Sequence, residues 1–207
     1  MTTLTQKQWD DFKKAFPNDT KIQKVTFEEL LKNTEGGKVD WKNPTVAQKR
    51  PVELQETLGL SDCEVNIGFV VFDVVCLAVG GAGLRAGAGR GTAEAVAKAA
   101  KPVLSKIEGT IAKMAAKGAS KTDIAWGVFT ILKTIWSGGC LGAVVAAFVD
   151  SLTWYYMLLY AATALATIVA ALATDGAAFV AEVVVELATA GFLVADSVNA
   201  VTACGWA

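Results

Sequence analysis

Histidine is absent from this chain of 207 residues. Its absence removes the commonest general base, the usual Ser-His-Asp and Cys-His arrangements and most zinc sites. The four cysteines (Cys63, Cys76, Cys140 and Cys204) form no Cys-x-x-Cys pair, which excludes the usual metal and redox spacings. Charge is also sparse: 19% of residues, against about 25% in an ordinary soluble domain. No Lys or Arg follows Lys133. Beyond it stand only Asp150, Asp175, Glu182, Glu186 and Asp196, so residues 134–207 carry −5. The whole chain carries −1, which leaves +4 on the first 133 residues. A balance so close to zero argues against a nucleic-acid partner, and its asymmetry suggests two unlike halves. The opening MTTLTQKQWDDFKKAF lacks an apolar core, so no cleavable signal peptide is expected.

What fills the chain instead is apolar: 53% hydrophobic residues and a mean hydropathy of +0.42. The pattern divides it into a polar helical region, residues 1–60, and an apolar helical bundle, residues 61–207. In the first, Trp9, Phe12 and Phe16 make one helical stripe. Thr26 and Glu29 suit a capping box, Gly36-Gly37 stops that helix, and a loop is expected through Trp41 to Pro44. A short helix is expected over residues 45–57, with Pro51 its weak point.

Ser61 and Glu64 open a second capping box ahead of the run Val65–Val79, interrupted only by Asp73. Its length suits a helix better than a strand despite its valines. The glycine-rich stretch 80–91 reads as a loop between helices or as a glycine zipper. In the zipper Gly83, Gly87 and Gly91, four apart, would put bare backbone on one helix face. A dinucleotide loop would need a preceding strand and βα units, which the pattern lacks. Thr92 suits a cap for a helix ending near Ala100. Val103, Ile107, Ile111 and Met114 then follow helical spacing, with Lys106, Lys113 and Lys117 off that stripe. Such a basic amphipathic helix suits either a bundle surface or an anionic membrane, and those three lysines are the candidate lipid-facing residues. Ser120 and Asp123 open the next helix, which carries Trp126 and Trp136 near its ends.

The most informative segment is residues 140–203. Residues 151–174 hold no charge and exceed the roughly twenty residues that span a hydrocarbon core. Trp154, Tyr155, Tyr156 and Tyr160 gather at one end, as interfacial aromatics do. Asp175-Gly176 breaks the chain, and a second apolar helix is expected over residues 177–203. Together they make an all-α fold: a multi-helix bundle with a hydrophobic C-terminal helical hairpin. Glu182, Glu186 and Asp196 lie on the second limb, where ionised acids oppose insertion and protonation removes much of that cost. Counting from the turn, Cys140 and Cys204 return to the same end. Buried free thiols are the expected state of the four cysteines, since free Cys packs like a small hydrophobe, and a Cys140–Cys204 bond is the geometrically compatible alternative.

In plan, residues 60–207 resemble the channel domain of colicins and small helical pore-forming toxins. The resemblance is architectural, rests on no shared motif and transfers no functional residue. It implies a non-enzymatic protein that stores a hydrophobic hairpin in a soluble bundle and permeabilises a lipid membrane, with several copies assembling there. The expected site of action is a target membrane reached without a cleavable signal. A resident multi-span membrane protein and a soluble bundle with a structural or binding role are the alternatives. No metal, cofactor or small-molecule substrate is expected.

Overall fold

The computed structural model describes residues 2–42, 59–85, 88–188 and 191–206. The helix expected around Pro51 and the position of Gly87 lie outside the described residues. Everything described is helical apart from turns and one minimal antiparallel ribbon. That ribbon pairs β1 (Thr2–Thr3) with β2 (Lys38–Val39), in a segment where the sequence suggested only a loop.

Between the two strands lie α1 (Gln6–Lys14), α2 (Thr20–Lys24) and α3 (Phe27–Lys32). The stripe on α1 forms as its spacing dictates. Trp9 and Phe12 are buried and stacked at 5.5 Å, and Phe12 meets Phe16 at 5.0 Å. Lys13 Nζ donates to the Gln23 and Val25 carbonyls, and Gln23 Nε2 donates back to the Lys13 and Phe16 carbonyls. These bonds satisfy the α1 and α2 ends that would otherwise be left open.

The body begins with α4 (Asp62–Val79), which opens on the full Ser61/Glu64 capping box and closes on left-handed Gly80. It is the central helix, apolar nearly all round because other helices surround it. Short α5 (Ala82–Arg85) follows, then α6 (Arg90–Ala100), whose N-cap is Gly89 rather than Thr92. A 3-10 turn at Lys101–Val103 leads into α7 (Leu104–Ala115). Next comes α8 (Lys121–Ser137), with its Ser120/Asp123 capping box complete, and α9 (Leu141–Phe148). The chain bends by 116° between α8 and α9. The C-terminal part comprises α10 (Trp154–Leu172), α11 (Ala177–Glu186) and α12 (Phe192–Cys204).

Gly68 on α4 lies directly against the Ala93 carbonyl of α6, where any added carbon would collide with backbone. Gly68→Ala is therefore expected to cost about 1–3 kcal/mol through overpacking. Urea denaturation checks this: an unchanged midpoint would mean that α4 and α6 are less closely apposed.

One hydrophobic core runs through the N-terminal region and the body together. Trp41 joins the two, edge-on to Tyr160 at 4.9 Å and tilted against Phe148, which in turn packs on Phe72 of α4 at 4.7 Å.

Candidate functional site: the apolar C-terminal helices and the latch on the last of them

The apolar segment expected to form the first limb is α10. Its best window has a mean hydropathy of 1.7 and is half buried in the fold. It is the one helix among the described residues that is by itself long and apolar enough to cross a membrane. Its polar side chains are satisfied locally: the Thr163 and Thr167 hydroxyls donate to the Leu159 and Thr163 carbonyls one turn back. Such groups ask nothing of their surroundings, in a protein core or in lipid.

The aromatic cluster is not a free belt. Tyr155 Oη donates to Glu29 Oε1 at 2.6 Å, and Tyr160 Oη donates to the Asp40 carbonyl at 3.2 Å. Glu29, which suited a capping box by sequence, gives its backbone N–H to the Thr26 hydroxyl and its carboxylate to Tyr155. Trp154 and Tyr156 are half-buried beside them. Burial first, then the field of Glu35, raises the Tyr156 phenol above its ordinary value. The N-terminal region thus sits on the N-terminal half of α10, where Met157–Ala164 is wholly buried. The C-terminal half is more open. Leu165, Ala166 and Val169 line a cleft of about 530 Å³ whose other walls include Lys7 and Asp11 of α1 and Leu141 of α9.

The second limb differs from expectation. It is not one helix over residues 177–203, because α11 ends at Glu186 and α12 starts at Phe192. Gly176, at φ +83°, turns the chain after Asp175, whose carboxylate accepts from the Ala177 N–H. The Phe129 ring of α8 closes over Gly176, and Phe179 meets it at 5.9 Å. So α11 leans chiefly on α8, and α10 chiefly on α9 and α1, while both also meet α4. Exposed Glu182 and half-buried Glu186 share a cleft of about 390 Å³ with Thr167 of α10 and the end of α4.

Helix α12 turns away from this pair and packs along α4 and α7. That placement decides the disulfide: Cys204 bonds Cys63 in the first turn of α4, whereas Cys76 and Cys140 are free and buried. The expected Cys140–Cys204 pairing assumed a second limb that ran straight, and the expectation of buried free thiols holds for Cys76 and Cys140 but not for Cys63 and Cys204. The packing of α12 along α4 carries Cys204 to Cys63 instead.

A second tie lies farther along the same antiparallel pair. Asp73 of α4 is completely buried, Asp196 of α12 mostly so, and Arg85 of α5 reaches between them. Arg85 Nη2 donates to Asp196 Oδ2 at 2.5 Å. Arg85 Nε is 2.7 Å from Asp73 Oδ1 but off the line a hydrogen bond needs, so this contact is electrostatic. The guanidinium also lies over the Phe69 ring at 5.0 Å. Two carboxylates facing one guanidinium leave an excess negative charge in an apolar interior. Desolvation, then the neighbouring Asp196, push the Asp73 carboxyl up to about 9, with Arg85 opposing. Asp73 is therefore protonated at neutral pH and the cluster as a whole is uncharged. The sequence placed Asp196 with the insertion-opposing acids; the fold gives it a cationic partner.

The three lysines expected to face lipid, Lys106, Lys113 and Lys117, are all exposed on α7 or just past its end. The glycine repeat does not make one stripe. Gly83 belongs to α5 and Gly91 to α6, with extended Gly89 between them. Among the described residues no group of three His, Cys, Asp or Glu side chains is placed to hold a metal ion. No family model, curated protein or solved structure matches this chain.

Proposed function

We propose that this protein permeabilises membranes by inserting α10 and α11, two apolar helices that the folded body stores, α10 against the N-terminal region and α11 against α8 and α4. The observation that carries the reading is α10 itself. It is nineteen residues long, free of charge and internally satisfied in its threonines, and two of its three tyrosines, Tyr155 and Tyr160, are tied to Glu29 and Asp40. A helix held by a few polar anchors at one end and half-open at the other is suited to storage and release. In this reading the insertion-competent segment stops near Glu186, because α12 remains joined to α4 through Cys63–Cys204 and the Arg85 cluster. That bond would persist in an oxidising compartment, which suits a protein acting outside the cell that makes it.

The competing reading is a soluble bundle with a structural or binding role, in which α10 is simply a central helix. The complete burial of Met157–Ala164 favours it.

Dye release from anionic vesicles, at pH 7 and pH 5 with detergent-free protein, separates the two. The decisive variant is Ala166→Asp. Ala166 lines the open cleft, so the folded body tolerates a carboxylate there. At mid-bilayer the same group costs about 3 kcal/mol, and leakage is expected to fall roughly 100-fold. Circular dichroism confirms that the variant is folded. Leakage by the wild type that survives Ala166→Asp would show that α10 does not span, and no leakage at either pH would favour the soluble bundle.

A further inference from the structure

The region from the end of α6 to the end of α8 is the most basic part of the folded body. Residues 98–133 carry seven lysines, Lys98, Lys101, Lys106, Lys113, Lys117, Lys121 and Lys133, against Glu108 and Asp123. All seven lysines are exposed, and none makes an ion pair among the described residues. Of the two acids, Asp123 is engaged in capping α8 through Ser120.

The packing of α7 and α8 arranges these charges. A carbon added at Gly127 would meet Met114 and, at 3.6 Å, Thr110; one added at Gly138 would meet Val103. The two helices therefore run antiparallel, side by side. Thr110 stands in line with Lys106 and Lys113, at steps of four and three residues, so it shares their helix face, and Lys117 follows just past the end of α7. Since Thr110 touches α8, the lysine row follows the seam between the helices. On α8 the outward face carries Trp126, Thr130 and Lys133 at the same spacing. Trp126 is 41% exposed although it packs edge-on against Phe129 at 5.7 Å. The Thr130 hydroxyl donates to the Trp126 carbonyl, so it presents no unsatisfied group outward.

An open indole beside a row of unpaired ammonium groups matches the headgroup layer of an anionic bilayer, which wants cations above and amphipathic rings below. We propose that the α7–α8 face is the surface by which the folded protein docks on anionic membrane, through Lys106, Lys113, Lys117 and Lys133, with Trp126 entering the interface. The inference rests on the reading that the protein acts at membranes. It adds that docking and insertion belong to different elements: α7 and α8 bind while α10 and α11 are still stored.

Co-sedimentation with vesicles of equimolar phosphatidylcholine and phosphatidylglycerol, and with phosphatidylcholine alone, tests it. Binding is expected on the anionic vesicles only and should weaken with salt. Lys106→Gln/Lys113→Gln/Lys117→Gln is expected to weaken it roughly 100-fold or more, from about 1 kcal/mol per lysine. The control Lys21→Gln/Lys24→Gln/Lys32→Gln removes the same charge from the N-terminal region and should change binding far less. A blue shift of tryptophan emission on binding should be lost in Trp126→Phe. Equal losses in the two triple variants, or a blue shift that survives Trp126→Phe, would overturn the proposal. So would a folded protein that binds neither vesicle, which would return the lysine row to an acidic protein partner. Binding without dye release leaves docking standing and removes the permeabilising function. Dye release indifferent to the α7 lysines does the reverse.

Discussion

Reducing the Cys63–Cys204 bond lowers the thermal unfolding midpoint by roughly 10 °C. The bond closes a loop of 141 residues. In the chain-entropy view such a loop restrains the unfolded chain by about 5 kcal/mol, and removing a native bond from a folded protein usually costs about 2–5 kcal/mol. For a chain of this size each kcal/mol moves the midpoint by about 2–4 °C. The Cys63→Ser/Cys204→Ser double variant should reproduce the shift without reductant, whereas Cys140→Ser should not. Thiol titration of the unreduced, unfolded protein should find two reactive groups, Cys76 and Cys140. Four would show that the bond does not form, and an unchanged midpoint on reduction would show that α12 is held by packing alone. If freeing α12 lengthens the segment able to leave the body, dye release also rises under reductant, and the thermal and leakage readouts move together.

Between pH 5 and pH 8 the protein becomes less stable as pH rises, and Asp73→Asn removes that slope. The sign follows from proton counting. In the unfolded chain Asp73 has released its proton above about pH 4, while in the fold it keeps it up to about 9. The native state therefore holds the extra proton throughout the interval, and stability falls by up to about 1.4 kcal/mol per pH unit. Below the unfolded value the contribution is fully present; above the folded value it is lost. Asparagine keeps the size and neutrality of the protonated carboxyl, so the advantage of Asp73→Asn over wild type grows with pH. The other carboxyls and thiols of α4 and α8 with shifted titrations act outside this interval. Glu64 and Asp123, lowered by their bonds to Ser61 and Ser120, act only in stronger acid. Cys76, raised by burial, acts only in stronger alkali. Urea unfolding at three pH values provides the measurement, and parallel slopes for the two proteins would place the proton elsewhere. Acid thus tightens Asp73's part of the α4–α12 latch.

Arg85 is the group that makes this cluster tolerable. Removing one partner of a buried ion pair costs about 3–5 kcal/mol, because the remaining charge stays in place without compensation. Its role was hidden by its setting in a glycine-rich stretch, where local pattern suggested a loop or a zipper. The signal available was coarse: Asp73 interrupts an otherwise unbroken apolar run, and such an acid needs a cation somewhere in the fold. Sequence spacing alone does not say which. The same holds for Tyr155 and Tyr160. Their clustering beside an apolar run was visible, but Glu29 and Asp40, more than a hundred residues earlier, come within reach only when the N-terminal helices dock.

What the sequence determined by itself was local. The capping boxes at Ser61/Glu64 and Ser120/Asp123, the stop at Gly80, the turn at Gly176 and the Val103-Ile107-Ile111-Met114 stripe each rest on interactions within about four residues, so they set the helices before any packing. Tertiary structure decided which way α12 runs, which cysteine receives Cys204, that Asp196 faces Arg85, and that α10 is sheltered by the N-terminal region. Those outcomes depend on how apolar faces of many helices are satisfied at once. An apolar stripe states that it must be buried and leaves its partner open, so the packing of α12 on α4 was enough to bring Cys204 to Cys63 rather than to Cys140.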